Sequence, residues 1–517
     1  MRRLAFSAQT IVSAASKTHI NQRHTLHLPP FDASAMTDWE LLIDEADVSA
    51  VLPEAYAHYR RPIKQALIVF LDGLPEAHQD AIVRDQTELP LTATMSQRIA
   101  TLARSCPALH KLGQTLARDR RLALELRLQL QQLESLPPSI PLPEITAILA
   151  QELGPLDRLG VVLAPPALAE ASVAVVVPFR RGQEEGVFKV LKPGIEERLE
   201  QELALLERVG AHLDNECEAL GIPRLAYKEI FEGLAERLRQ ETKLDGEQHH
   251  LDLARTTYAD DRRIQIPALF PFCTPRVTAM ERVYGGKVTD RHFDSDKQRR
   301  TCAELIVASL IARPLLANGD AALFHGDPHP GNLLYTPDDR LAILDWSLAA
   351  TLEETRRIAF VQIILGAVML DADRIARGLA ALSAHPESLP DKVMPVIHAA
   401  LAQLQAFRLP GLLWVTELLD NTLHAGMRFD SKMLVLRKML HALEGVIADI
   451  GASRSCIDAV LINNFLGRMA AEWPSRWMAT PGSRAFATRL SNADLASVTM
   501  SIPLAAMRFW LDIASRR

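Results

Sequence analysis

Apolar residues recur three and four positions apart from Trp39 to Leu136, with few glycines between them, which predicts a run of helices. The stretch Ile99–Leu133 is rich in Leu, Arg and Gln. Pro137, Pro138, Pro141 and Pro143 end it, because proline has no N–H to continue a helix. Between Val161 and Ile195 the period shortens. Val173–Val177 and Val187–Leu191 are short β-rich runs on either side of the polar stretch Arg180–Gly186, which contains Gly182 and Gly186. That pattern predicts a β-hairpin. Charged helical patterns follow at Glu196–Leu213 and from Tyr227 to Tyr258. Thr274–Glu281 reads as a strand, and Gly285-Gly286 as a turn or hinge. Lys297–Ala317 predicts an apolar helix. After it come a loop holding Gly326, Pro328, Pro330 and Gly331, a strand at Leu341–Leu344, and helical pattern again from Glu353 to Ile450.

This order of parts predicts an α+β, mainly helical fold. Two lobes are arranged as in a protein kinase, behind an N-terminal helical extension. The pattern divides the chain into a helical region over 1–94 and a second helical segment over 95–160. A small lobe follows over 161–285, a large helical lobe over 286–450, and a tail over 451–517. No internal repeat or low-complexity tract interrupts it.

Composition narrows the function classes. The 517 residues carry 57 Lys plus Arg against 63 Asp plus Glu, a formal charge of −6. Duplex binding rests on many basic contacts, so this balance argues against nucleic acid as a partner. Apolar residues at 48% and charged residues at 23% are globular usage, which excludes a mainly disordered chain. Cys106, Cys217, Cys273, Cys302 and Cys456 form no CxxC pair. This argues against a zinc ribbon or a disulfide framework and for reduced thiols. The longest apolar stretch, Ile358–Leu370, is too short to span a bilayer and contains Gln362, so it predicts a buried helix.

Both ends bear on location. The first residues hold Arg2, Arg3, Lys17 and Arg23 and no acid before Asp32. Two readings stay open: a transit peptide, which implies an organellar matrix, or a frayed start on a cytoplasmic protein. In the tail, Arg454, Arg468, Arg476, Arg484, Arg489, Arg508, Arg516 and Arg517 outnumber Asp458, Glu472, Asp494 and Asp512. Trp473, Trp477 and Trp510 accompany them. Basic residues with interfacial aromatics suit the anionic inner face of a membrane. A helix docked on the large lobe would use the same rings.

The polar loop carries the chemistry. In Phe324-His325-Gly326-Asp327-Pro328-His329-Pro330-Gly331-Asn332 four residues separate Asp327 from Asn332, and Asp345 closes the strand that follows. Phosphoryl transfer from ATP needs a carboxylate that takes the acceptor's proton, and an amide and a carboxylate that hold Mg²⁺ against the phosphates. Mg²⁺ prefers hard oxygen ligands and keeps several waters, so one amide and one carboxylate suffice. Asp327, Asn332 and Asp345 supply this set in kinase chain order. His325 and His329 stand among prolines, where no regular helix forms, and read as loop braces. A kinase also needs a lysine on a small-lobe strand for the α- and β-phosphates. Lys189 lies inside the apolar run Val187–Leu191, whereas Pro193-Gly194 removes Lys192 from that strand.

These blocks together resemble the UbiB (AarF) family of atypical protein-kinase-like proteins, linked to ubiquinone and other isoprenoid-lipid metabolism. Lys111-Leu112-Gly113-Gln114 matches its KxGQ motif, and Ala169-Glu170-Ala171-Ser172 is similar to its Ala-rich loop. Phe188–Ile195 resembles its lysine strand, and His325–Asn332 with Asp345 its catalytic and metal loops. Thr274–Glu281 and Leu443-Glu444-Gly445-Val446 add weaker likeness. The resemblance spans about residues 95–450. It implies ATP and Mg²⁺ as cofactors, Lys189, Glu247 and Asp327 as catalytic residues, and Asn332 and Asp345 as metal ligands. Ala169, Ala171 and Ser172 would pack over the phosphates. Lys111, Gln114 and Glu241, from the KxGQ and ExD motifs, would complete the nucleotide site. It further implies an isoprenoid lipid or quinone precursor as partner, and ATP binding or hydrolysis in place of protein phosphorylation.

The chain departs from the family pattern in several places. The ExD motif reads Glu241-Thr242-Lys243, so a cation replaces the second acid, and the metal loop reads Asp345-Trp346-Ser347, with Ser in place of Gly. Arg121 stands where the family often has an acid. Two other readings share the motif: a small-molecule phosphotransferase of the aminoglycoside or choline kinase type, which also follows its loop with Asp-Trp, and a nucleotide-binding pseudokinase switch.

Overall fold

Capping chemistry and proline set the helix starts in the first part of the chain. Thr94 accepts from the Gln97 backbone N–H and the Gln97 side chain accepts from the Thr94 N–H, a reciprocal capping box that opens the helix Met95–Ser105. Pro107 sits in the first turn of the next helix, Pro107–Leu116, where its missing N–H has no partner to lose. The computed structural model describes residues 39–40, 43 and 51–501, apart from 118–121, 135, 137, 224–225, 388, 405–409 and 454. The basic N-terminal stretch, Arg121, and Arg508, Trp510, Asp512, Arg516 and Arg517 of the tail lie outside the described residues, as does Arg454.

The described chain is a mainly helical α+β fold with three small sheets. It forms two compact units. The first takes in the described residues of 1–139 with 169–174 and 192–239; the second takes in 140–168, 175–191 and the described residues of 240–517.

In the first unit the long helix Ile195–Leu220 turns Leu199, Leu203, Leu206, Val209 and Leu213 onto one stripe. That stripe packs with Ile68, Phe70 and Leu71 of the helix Arg60–Asp72 in a single buried cluster. Each such side chain contributes about 1.5–3 kcal/mol when fully buried. Gly113 marks a close approach: a Cβ there would lie 2.7 Å from Leu133 Cδ1. One turn away the His110 ring meets the Leu133 carbonyl at 2.8 Å, and Gln114 Nε2 donates to the same oxygen at 2.9 Å. The Gly and Gln of Lys111-Leu112-Gly113-Gln114 thus fix this helix against the segment ending at Leu133.

Burial lowers the His110 pKa to about 4. The unfolded imidazole titrates near 6.5, so between those values the unfolded chain binds the proton and the folded one does not. Stability is therefore full above pH 6.5 and falls as the pH drops toward 4, by about 3 kcal/mol in all. Denaturant unfolding at pH 7 and pH 4.5 is expected to show this loss, and His110→Gln to remove most of it.

In the second unit one sheet runs in the order Val161–Leu163, Ala174–Arg181, Glu184–Leu191, Val277–Glu281. The last pair is antiparallel and sets Lys189 opposite Thr278. Phe179, Phe188, Phe270 and Phe272 stack on one another behind it, with Phe179 and Phe188 ring centroids 4.3 Å apart. A second sheet has the order Ile264–Gln265, Leu341–Ile343, Leu333–Tyr335, Gly286–Lys287. A third pairs Ala321–Phe324 with Ala350–Glu353. Helices from Glu354–Met369 to Ser431–Asp449 enclose the large core around the fully buried Trp346.

Several elements differ from the pattern-based expectation. The helical stretch Tyr227–Tyr258 is two helices, Tyr227–Glu241 and Leu244–Tyr258, because Lys243 leaves the helical region at φ −106°, ψ 87°. Lys297–Ala317 is a helix to Val307 that widens into a π-helical turn at Ala308–Ala312. Strands of two to four residues, such as Ile264–Gln265 and Ala321–Phe324, are too short to show a period of two. Among the described residues no helix is long and apolar enough to cross a membrane.

Candidate active site

A hairpin builds the heart of the site. Leu333–Tyr335 pairs antiparallel with Leu341–Ile343, and the Leu344 N–H donates to the Asn332 carbonyl at 2.8 Å. The register therefore sets Asn332, which enters one strand, beside Asp345, which leaves the other. Asp345 adopts the left-handed region, at φ +51°. Asp tolerates this conformation better than most residues, because its short side chain bonds the local backbone. Here Oδ1 accepts from the Ser347 N–H at 3.2 Å and the Ser347 hydroxyl at 2.6 Å. Ser347 is not among the positive-φ residues, so the backbone freedom of glycine is not needed at that position. Its hydroxyl instead aims the carboxylate.

The other oxygen, Oδ2, faces Lys189 Nζ at 3.1 Å. Lys189 also donates to both oxygens of Glu247, at 2.8 and 2.7 Å. A strand and a helix deliver the pair: Lys189 from Glu184–Leu191 and Glu247 from the first turn of Leu244–Tyr258. Lys189 and Glu247 are both buried. Burial alone would lower the lysine pKa, but Asp345 and Glu247 outweigh it and raise it, so the ammonium stays charged. Burial pushes Glu247 up to about 7; Lys189 pulls it down, while Asp345 and Glu241 add to the rise. Glu241 is itself buried at the end of Tyr227–Glu241. Lys243 is exposed where the next helix begins.

The loop before the hairpin is braced from inside. His325 is buried; its Nε2 lies 2.8 Å from the Leu344 carbonyl and its Nδ1 accepts from the Asp327 N–H at 3.2 Å. Those partners require the neutral tautomer protonated on Nε2, and burial lowers the ring's pKa accordingly. The ring stands edge-on to Trp346, centroids 4.8 Å apart. His329 Nδ1 accepts from the Gly331 N–H at 3.1 Å. Asn332 Nδ2 donates to the Asp327 carbonyl at 3.0 Å, which turns its Oδ1 the other way. Asp327 pairs with Lys438 at 3.0 Å.

Gly326 admits no side chain. A Cβ there would lie 1.9 Å from the Leu348 carbonyl oxygen and 2.8 Å from Val435 Cγ1. Neither a backbone oxygen nor a core valine can yield that much space. Gly326→Ala is expected to cost about 1–3 kcal/mol and to displace Asp327. Denaturant unfolding checks the first effect and loss of turnover the second; wild-type values for both would contradict this packing.

Lys189, Glu247, Asp345, Asn332 and Asp327 thus lie in one unit, with the first three in direct contact. Glu241 lies in that unit too; the remaining candidates, Ala169, Ala171, Ser172, Lys111 and Gln114, belong to the other unit. There Ser172 is buried and the Gln114 amide is bonded to Leu133. Sequence reasoning missed three partners. Glu170, inside the Ala-rich loop, pairs with Lys192 at 2.8 Å and accepts from the Ser139 N–H and hydroxyl at 2.6 and 2.8 Å. Lys192 therefore has a carboxylate of its own, apart from that of Lys189. Ser347 and Lys438 are the other two. No local motif marks Lys438, which stands far along the chain from the loop it meets.

Chemically, the site offers the Lys189 ammonium from a strand, the Glu247 carboxylate from a helix, and the Asp327 and Asp345 carboxylates with the Asn332 amide oxygen from the loop and hairpin. The Asp345 carboxylate and the Asn332 amide oxygen are hard donors of the kind that suits Mg²⁺.

Residues 132–379 match the ABC1 atypical kinase-like domain. The chain is 29% identical over 309 residues to the protein Activity of BC1 complex kinase 3, chloroplastic, of Arabidopsis thaliana, covering 58% of this chain and 42% of that one. It is 28% identical over 306 residues to Activity of BC1 complex kinase 1, chloroplastic, of the same plant, covering 58% and 44%. A probable protein kinase UbiB of Shewanella loihica is 30% identical over 220 residues, covering 41% and 39%. The chain therefore spans less than half the length of these relatives.

Proposed function

On the match of residues 132–379 to the ABC1 atypical kinase-like domain, we propose that the chain binds Mg²⁺·ATP and transfers or hydrolyses the γ-phosphate in support of isoprenoid-lipid or quinone metabolism. The observation that carries this reading is the Lys189–Glu247–Asp345 triad, a buried pair joined by a half-buried carboxylate at 2.7 and 3.1 Å. A lysine buried in a strand is costly unless paired. Holding it charged between two carboxylates, one beside a loop Asn, suits the task of gripping phosphates.

In this reading Lys189 orients the α- and β-phosphates and Glu247 holds Lys189 in place. Asn332 and Asp345 would hold Mg²⁺, which would neutralise negative charge on the phosphates. Ser347 fixes the Asp345 rotamer. Asp327 orients the acceptor, a hydroxyl or water, and takes its proton. The domain match supports this function over a small-molecule phosphotransferase of the aminoglycoside or choline kinase type. The pseudokinase reading differs only in turnover. ATP hydrolysis by the purified chain, with and without lipid or quinone-precursor mimics, tests it; Mg²⁺-dependent binding without turnover under any condition would favour the switch.

Peripheral membrane contact belongs to the same proposal. Trp473 and Trp477 are 53% and 77% exposed and stand T-shaped, 6.4 Å apart, with Met478 and Leu466 also exposed on this stretch. Docking on the large lobe leaves these two rings uncovered. Anionic liposomes are expected to co-sediment the wild type, and Trp473→Ala with Trp477→Ala to lower the bound fraction at least about threefold. Equal binding would remove the tail from the proposal.

A further inference from the structure

The loop Asp327–Asn332 holds no lysine or arginine: Pro328, His329, Pro330 and Gly331 fill its middle. The phosphoryl group in transfer nevertheless spreads negative charge over its equatorial oxygens, and catalysis rests on charges aimed at it. Lys189 is already engaged by Glu247 and Asp345. A cation reaches the loop from another element. Lys438, on the helix Ser431–Asp449, brings Nζ to 3.0 Å from Asp327 Oδ1. One turn earlier on the same helix Val435 packs against Gly326, so this face is seated directly on the loop. The other basic side chains of that helix have partners elsewhere: Lys432 pairs with Glu353, and Arg437 and His441 pair with Asp420. The Lys438 side chain is 30% exposed and the Asp327 side chain 14%, so the ammonium stands at the edge of the site with room to move.

We propose that Lys438 is a catalytic residue that contacts the phosphoryl group during transfer, supplying the ammonium that the loop itself lacks. This rests on the Mg²⁺·ATP reading above. In the resting protein the ammonium neutralises Asp327. When the γ-phosphate arrives, the ammonium shifts to its equatorial oxygens and the Asp327 carboxylate is released to accept a proton. The acceptor oxygen forms its bond to phosphorus as the bond to the β–γ bridging oxygen breaks. ADP leaves with that electron pair, and the acceptor's proton passes to Asp327. The exchange couples arrival of the phosphate to activation of the base.

The test compares Mg²⁺·ADP with Mg²⁺·ADP plus aluminium fluoride, a mimic of the planar phosphoryl group, on the wild type, Lys438→Gln and Lys438→Arg. Titration calorimetry reads the affinities. The wild type is expected to bind the aluminium fluoride complex at least about tenfold tighter than ADP, as transition-state mimics do. Lys438→Gln should lose most of that gain while its ADP affinity stays within about twofold, and Lys438→Arg should restore part of it. A merely structural lysine would change thermal stability and leave the ratio intact; an unchanged ratio in Lys438→Gln overturns the proposal. A wild type that binds ADP with no gain from aluminium fluoride overturns it alone. A wild type that binds no nucleotide overturns it together with the Mg²⁺·ATP reading.

Discussion

Asp345→Asn is expected to leave the fold intact and to lower ATP turnover at least about a hundredfold, because removing a charge aimed at the transferring phosphate costs about 3 kcal/mol or more. The substitution is well matched to the site. Asn occupies the left-handed region as readily as Asp, so the +51° backbone at this position is kept. Its amide oxygen can still accept from Ser347, which donates to Oδ1 from both its N–H and its hydroxyl. The negative charge disappears, and the amide NH2 that replaces Oδ2 cannot accept from the ammonium, so Lys189 is left to Glu247. Unfolding curves check that stability is kept, and turnover at saturating Mg²⁺ reads the chemical loss. Turnover within about threefold of wild type would remove Asp345 from the metal-binding role.

Breaking the buried pair is expected to act on stability, and asymmetrically. Glu247→Gln leaves the Lys189 ammonium with Asp345 alone. Removing one partner of a buried ion pair costs about 3–5 kcal/mol when the other charge is left uncompensated. Asp345 keeps part of the compensation, so the lower end of that range is expected. Lys189→Met removes the cation instead. Glu247 is already raised to about 7 by burial, and without the downward pull of Lys189 it rises further. At neutral pH it takes up a proton and avoids most of the penalty. The sign follows from linkage. The unfolded carboxyl titrates near 4.3 and the folded one above 7, so between these values the folded state holds the extra proton. Stability is full below about pH 4.3 and declines as the pH rises, by about 1.4 kcal/mol per unit, until the folded pKa is passed. Unfolding of Lys189→Met between pH 5 and 8 should show this slope, and adding Glu247→Gln should flatten it. A flat profile in the single variant would place Glu247 in a more solvated setting than the one described.

What the sequence shows of this site is what local patterning can carry. Asp327, Asn332 and Asp345 sit in a contiguous loop and hairpin, where turn residues and a short apolar strand announce themselves, and Lys189 stands out as a charge inside an apolar run. Glu247 is different. Nothing in the helix Leu244–Tyr258 distinguishes it from its neighbour Asp245 except motif spacing; only folding makes one buried and the other exposed. Lys438, Ser347 and Glu170 lay beyond sequence reasoning for a related reason. Their roles depend on which atom they face: Asp327 across more than a hundred residues, Asp345 Oδ1 within one turn, and Lys192 across a strand. Hydrophobic periodicity reports the face a residue belongs to and carries no information on its partner. The same limit explains the elements that differ. The helix break at Lys243 leaves the apolar period undisturbed, and the strands of two to four residues exist because a neighbouring strand pairs with them.

The central claim is that the Lys189–Glu247–Asp345 triad and Asn332 form a nucleotide site that depends on Mg²⁺. Calorimetric titration of ATP into the purified chain, with Mg²⁺ and then with the metal chelated, tests it most directly. A single saturable site is expected, with a Kd below about 1 mM in Mg²⁺, equivalent to about −4 kcal/mol or stronger, and binding at least about tenfold weaker after chelation. No heat of binding from millimolar ATP with Mg²⁺ present, on a chain whose unfolding curve shows it folded, would contradict it.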